Sequence, residues 1–155
     1  MNPPTGGWTG SGNQEIARQL GNWHVSHQKG RVFDSSTGFR LPDGSTLSPD
    51  ASYLSEERLK NLPKGALRGF PRVCPELVIE LRSETDSLEE LQSKMADWLA
   101  NGTELGWLID PPGRQVLVYR PDRAVDRFTG SEISGEGKTA GFVLDLKRVW
   151  KCYED

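Results

Sequence analysis

Apolar residues recur at helical spacing near the start of the chain. Ile16, Leu20 and Trp23 lie three or four positions apart, as on one buried face of a helix. This spacing predicts a first helix over 12–26. The preceding segment contains three Gly and two Pro, so an irregular lead-in is predicted over 1–10.

A second amphipathic pattern predicts a helix over 87–100. Ser87 and Glu90 are spaced as in a capping box, and Asn101-Gly102 is typical of a helix end. The buried stripe of this helix is predicted to comprise Leu88, Leu91, Met95, Trp98 and Leu99.

Between and after these helices, short apolar runs bounded by turn residues predict strands. The predicted strands are 31–34, 38–41, 48–53, 76–82, 105–110, 115–120 and 140–146. The first three are expected to form a meander, and Pro111-Pro112-Gly113 to close a hairpin. The nearly continuous apolar character of 76–82 indicates a central strand covered on both faces. The predicted fold class is therefore α/β, a mixed sheet flanked by two principal helices.

Composition narrows the class of protein further. The chain has 155 residues with 35% hydrophobic and 26% charged positions, which predicts one globular domain over 1–155. The longest apolar runs are too short to cross a membrane, and neither a secretory leader nor a disulfide framework is indicated, so a cytoplasmic location is expected. A net charge of -3 argues against a protein that coats nucleic acid, but not against an enzyme that contacts it at a metal site.

Two carboxylates occupy positions where a strand would normally carry an apolar residue. Asp50 and Glu80 are candidates for function because a buried carboxylate requires a cation or a donor network. Each has a simpler explanation: Asp50 as a turn residue, and Glu80 as the partner of Arg82 in a salt bridge. Lys94, on the flank of the second helix, is either a solvated lysine or a cation directed toward the strand end.

Together these residue types suit phosphodiester hydrolysis. A hard divalent cation, Mg²⁺ or Mn²⁺, prefers carboxylate and carbonyl oxygens, which Asp50, Glu80 and the Leu81 carbonyl would supply. Lys94 would supply a positive group to orient water or to offset charge in the transition state.

The sequence also resembles a known family in five blocks. They are FDSSTGF at 33–39, LSPDA at 47–51, CPELVIELRS at 74–83, QSKM at 92–95 and GWLIDP at 106–111. These blocks resemble the Uma-type family of restriction endonuclease-like proteins, abundant in cyanobacteria and part of the PD-(D/E)XK nuclease superfamily. The resemblance implies a restriction-endonuclease-like fold and a bacterial metal-dependent endonuclease acting on DNA.

The same resemblance assigns roles to individual residues. It implies that Asp50 belongs to the "PD" element and that Glu80 is the acidic residue of (D/E)XK. Arg82 stands where a lysine is usual, so the lysine role passes to Lys94, and Arg82 becomes an electrostatic helper that contacts phosphate. A first-helix residue near the metal is also implied, for which Glu15 is favoured over Gln19.

Two further expectations remain open at the level of sequence. The alternative function is a nuclease-fold module that binds nucleic acid or protein with weak or no catalysis. A homodimer is expected if both strands of a duplex are cut by two-fold symmetry.

One further segment, Gly135-Glu136-Gly137-Lys138-Thr139, resembles the end of a P-loop. It lacks the first glycine and the following helix of that motif, so no nucleotide cofactor is predicted.

Overall fold

The computed structural model describes residues 4–155, so the first three residues of the predicted lead-in lie outside the described part. Its helices are α1 (Gly7–His27), α2 (Glu56–Lys60), α3 (Leu88–Ala100) and α4 (Leu146–Lys151). Its first five strands are β1 (Arg31–Phe33), β2 (Phe39–Arg40), β3 (Thr46–Leu47), β4 (Ala51–Leu54) and β5 (Leu77–Leu81). The others are β6 (Leu105–Asp110), β7 (Gln115–Tyr119), β8 (Asp126–Phe128), β9 (Glu132–Ser134) and β10 (Val143–Asp145). Within residues 4–155, no helix has both the length and the apolar character that crossing a bilayer requires.

Six strands form the central sheet in the order β1-β4-β5-β6-β7-β8. Strands β5 and β6 are parallel, and the other neighbouring pairs are antiparallel. Helix α3 forms the crossover that a parallel pair requires. The predicted α/β class, a mixed sheet flanked by helices, is confirmed.

The two faces of the sheet bury separate apolar clusters. In β5, Leu77, Ile79 and Leu81 face the α1 side, where Ile16 and Leu20 pack against the sheet. The alternate residue Val78 faces the α3 side, in the cluster that contains Met95 and Trp98. Because side chains alternate along a strand, Glu80 belongs to the α3 side as well.

Helix α1 begins at Gly7, so the prediction of an irregular segment through residue 10 is wrong. Gly6 is the N-cap without a side-chain hydrogen bond, and the sequence therefore lacks a local start signal at this point. Tertiary packing stabilises the first turns of the helix in place of a cap, since Thr9 is buried and a Cβ on Gly12 would lie 3.0 Å from Leu81. The close approach of α1 to β5 thus extends the helix beyond its predicted start.

The predicted three-stranded meander is also wrong. Strand β1 pairs with β4, while β2 and β3 pair only with each other as a separate ribbon. Three strands were missed, β3, β8 and β9, because each has only two or three residues and β8 shows no buried alternation. Long-range pairing, rather than local pattern, selects these partners.

Gly30 connects α1 to β1 at a point that tolerates no side chain. Its φ is 73°, and a Cβ there would lie 2.5 Å from the Leu54 carbonyl oxygen. Gly44 also has a positive φ, 90°, but no atom within 4 Å of such a Cβ.

We expect Gly30→Ala to lower the free energy of unfolding by about 2 kcal/mol or more, because backbone strain and a clash with backbone combine. Gly44→Ala should lower the free energy of unfolding by only about 1 kcal/mol, because backbone strain acts there without a clash. Urea denaturation of both variants measures the difference, and equal effects would contradict the predicted clash.

Candidate active site

The register of β4 against β5 brings the two predicted carboxylates together. Ala51 pairs with Ile79 in this antiparallel ladder, so the preceding Asp50 lies opposite Glu80. The Leu81 backbone N–H donates a 2.6 Å hydrogen bond to Asp50 Oδ2. Asp50 is therefore held at the end of β5 by the sheet itself, rather than serving only as a turn residue.

Glu80 is almost completely buried, with 2% of its surface exposed, and contacts α3. Lys94 Nζ lies 2.9 Å from Glu80 Oε2, and Trp98 Nε1 donates to the same oxygen at 3.0 Å. Lys94 and Trp98 are four residues apart and share one helix face. Lys94 Nζ also donates to the Ser48 carbonyl at 3.0 Å, so one ammonium group joins α3 both to β5 and to the loop that precedes β4.

Burial dominates the electrostatics of both carboxyl groups. Desolvation raises the pKa of Glu80 to about 7, although the Lys94 charge opposes the rise and the Asp50 charge adds to it. Desolvation likewise raises the pKa of Asp50, opposed by the Leu81 N–H and by Lys94. Shifts of this kind, caused by burial together with a specific charge partner in a cleft, are typical of functional sites.

These groups open into a cleft of about 890 Å³ between the start of α1, the loop after β5 and the start of α3. Four carboxylates line it: Asp50, Glu80, Glu84 and Asp86. The hydroxyl residues lining it are Thr5, Thr9, Ser35, Ser48, Ser83 and Thr85. Lys94 is the only Lys or Arg among the described lining residues. The cleft is thus rich in hard oxygen donors and acidic overall.

Arg82 does not join this cleft. Its guanidinium lies 3.1 Å from Asp110 Oδ1, and it does not line the cavity. The proposed Glu80–Arg82 salt bridge is absent among the described ion pairs, because β5 ends at Leu81 and the strand alternation stops there. The assignment of Arg82 as a phosphate contact finds no support in this placement.

Glu15 and Gln19 also lie outside the cleft. Glu15 pairs with Arg18 and accepts a 2.7 Å hydrogen bond from Gln19. Gln19 hydrogen-bonds both the N–H and the carbonyl of Asp145, joining α1 to the C-terminal part of the chain. The prediction that Glu15 lies near the metal site finds no support in this placement and stays a prediction.

The residues of α1 that do line the cleft were missed. They are Gly7, Trp8, Thr9 and Asn13, and within residues 4–155 the buried Asn13 Oδ1 has no hydrogen-bond partner. Thr9 and Asn13 are four residues apart, one helical turn before the apolar stripe reaches Ile16. Extending the helical pattern back to Gly7 would have placed Trp8 and Thr9 on this helix, whereas Asn13 already lies within the predicted range 12–26.

The donor set fits a hard divalent cation bound by few protein ligands. Two neighbouring carboxylates, Asp50 and Glu80, meet at the edge that Leu81 also lines. Among the described residues no group of three or more His, Cys, Asp or Glu has the arrangement of a metal cage. Mg²⁺ commonly binds through one or two carboxylates and retains several waters, so two carboxylates suffice for it.

The whole fold has a solved counterpart. It is similar to a structure described as a putative nuclease belonging to DUF820 from Anabaena variabilis, with a TM-score of 0.82 and 20% identity over 98% of this chain and 85% of that one. The fold is thus the α/β architecture of a nuclease-fold protein. The chain belongs to the Uma2 family, described as "Putative restriction endonuclease", whose model matches residues 1–147. Comparison with curated proteins gives no match.

The raised pKa of Glu80 makes a testable contribution to stability. A carboxyl group that binds its proton more tightly when folded stabilises the protein at low pH, and this stabilisation is lost as pH rises from its ordinary 4.5 through about 7. We expect Glu80→Gln to raise the melting temperature relative to wild type at about pH 8 and much less at about pH 5.

The exposed Glu89→Gln variant on the same helix is the matched control and should show no such pH-dependent gain. Thermal unfolding followed by circular dichroism across this pH range measures both. Parallel pH profiles for Glu80→Gln and wild type would refute the assignment.

Proposed function

We propose that this protein is a Mg²⁺ or Mn²⁺ dependent endonuclease that hydrolyses phosphodiester bonds in DNA. The observation that carries the proposal is the meeting of Asp50, Glu80 and Lys94 at one end of a cleft, with Lys94 Nζ 2.9 Å from Glu80. Membership of a family described as "Putative restriction endonuclease" supports the same chemistry.

In this proposal Asp50, Glu80 and the Leu81 carbonyl hold the cation. When bound, the metal supplies Lewis acidity and lowers the pKa of its water. The strand register presents Asp50 opposite Glu80, and the Leu81 N–H orients the Asp50 carboxylate from the side. These backbone constraints orient both acids before any substrate arrives, which is the preorganisation that catalysis requires.

Lys94 supplies the positive group on the protein side of the reaction. Its hydrogen bond to the Ser48 carbonyl and its ion pair with Glu80 keep the ammonium at the wall of the cleft. From there it orients the attacking water or offsets charge on the phosphate in the transition state. Trp98 serves as a positioning residue, because its N–H holds the carboxylate to which Lys94 is paired.

We expect Asp50→Ala, Glu80→Ala and Lys94→Ala each to lower the rate of Mg²⁺ or Mn²⁺ dependent DNA cleavage by about 100-fold or more. Nicking of supercoiled plasmid and degradation of single-stranded DNA are the measurements. Glu89→Ala and Lys147→Ala remove exposed groups of the same charge and should leave the rate unchanged. Cleavage that persists in all three cleft variants would overturn the proposed site.

A second prediction concerns the metal without DNA. Since a ligand that binds only the folded state stabilises it, millimolar Mg²⁺ should raise the melting temperature of wild type. The shift should vanish in Asp50→Ala, which lacks one of the two ligands, while Glu89→Ala retains it. An equal shift in wild type and Asp50→Ala would place the metal elsewhere.

One observation favours the alternative of a nuclease-fold module without turnover. Glu80 Oε2 is already satisfied inside the protein by Lys94 and by Trp98, as a structural carboxylate would be. Under this alternative, neither cleavage nor a Mg²⁺-dependent stability shift is observed, and Lys94→Ala chiefly destabilises the fold. The expected homodimer stays a prediction that light scattering would test.

A further inference from the structure

The cleft itself has too few positive charges to hold a polyanion. Its described lining carries Asp50, Glu80, Glu84 and Asp86 against the single cation Lys94. DNA carries one negative charge per about 1.7 Å of duplex, and its affinity for proteins comes largely from Lys and Arg contacts to phosphates. If the cleft cuts DNA, as proposed above, another part of the chain must hold the backbone.

The segment 58–72 has the required charge. It contains five of the 19 Lys and Arg residues and no Asp or Glu. Arg58 pairs with Glu76 and Glu104. The other four cations are exposed and have no ion pair or side-chain hydrogen bond among the described residues: Lys60, Lys64, Arg68 and Arg72.

An exposed aromatic ring accompanies these charges. Phe70 is 60% exposed, and Leu67 is 40% exposed in the same turn-rich stretch. An aromatic ring beside a positively charged backbone groove is a feature of nucleic-acid-binding surfaces, and here Phe70 lies between Arg68 and Arg72 in the sequence.

The segment is physically joined to the cleft. The Arg40 N–H of β2 donates to the Pro71 carbonyl at 2.9 Å, and a Cβ on Gly38 would lie 3.2 Å from Phe70. Ser35, three residues before Gly38, lines the cleft. Three residues of chain span at most about 11 Å, so one turn of duplex, about 34 Å, is long enough to contact both places.

We infer that segment 58–72, through Lys64, Arg68, Arg72 and Phe70, is the surface that holds the phosphate backbone of duplex DNA. The inference rests on the proposed nuclease function and specifies its substrate contact. The acidic cleft provides the metal ligands, and the basic segment provides the sequence-independent affinity.

The test is DNA binding measured without cleavage. Fluorescence anisotropy of a labelled duplex of about three turns is recorded in EDTA, where a metal-dependent nuclease cannot cut. The triple variant Lys64→Ala, Arg68→Ala, Arg72→Ala is compared with a control triple, Lys29→Ala, Lys147→Ala, Lys151→Ala. Both triples remove three positive charges from a net charge of -3, and all six side chains are exposed.

We expect the segment triple to bind about tenfold or more weaker than wild type, with a salt dependence whose slope falls by about 0.9 per lost contact, or about 2.7. The control triple should bind like wild type. Phe70→Ala should weaken binding without changing the salt slope, because the ring carries no charge, whereas the exposed Val25→Ala should change neither.

The outcomes separate this inference from the proposed function. Wild type that binds duplex through the segment but never cleaves would refute the function and leave the surface standing. Equal losses in both triples, or no binding by wild type, would overturn the surface even if cleavage is observed. Segment-dependent binding to phosphatidylserine vesicles with no binding to duplex would also overturn it, as the partner would be a membrane surface.

Discussion

The buried carboxylate of Glu80 is the constraint on which the site depends. An ionised carboxylate in an apolar core costs several kcal/mol unless donors surround it, and here Lys94 and Trp98 donate to one of its oxygens. Both donors lie on α3, so satisfying Glu80 ties that helix to the central strand β5. The desolvation that remains raises the pKa of Glu80 to about 7, although the Lys94 charge opposes the rise.

The pairing of β4 with β5 also places a second carboxylate, that of Asp50, in the site. Because β4 runs antiparallel to β5, Asp50 lies opposite Glu80, and the Leu81 N–H fixes its carboxylate. The resulting cleft carries excess negative charge, which suits a metal and disfavours a polyanion. Separation of the acidic cleft from the acid-free segment 58–72 would let the two tasks be performed by different surfaces of one small protein.

Sequence reasoning identified the central strand, the helix after it and the hairpin at 105–119 because each has strong local periodicity or turn chemistry. It also selected Glu80, since a charge that interrupts an apolar run is visible without a structure, and Lys94, from its position on the flank of the helix and from the family resemblance. It also selected Arg82 and Glu15, which lie outside the cleft and pair with Asp110 and Arg18, partners that the sequence analysis did not foresee. It missed Trp8 and Thr9 because the start of α1 has no capping signal.

What the sequence alone determined is which residues face the core and which polar groups must therefore be compensated there. Periodicity encodes this directly, since side chains alternate along strands and recur every turn along helices. Only the tertiary structure decided which strands pair, where α1 begins and which cation satisfies which carboxylate. These choices depend on contacts between residues distant in the chain, such as Ser48 with Lys94, and on desolvation that exists only once the sheet and helices have packed.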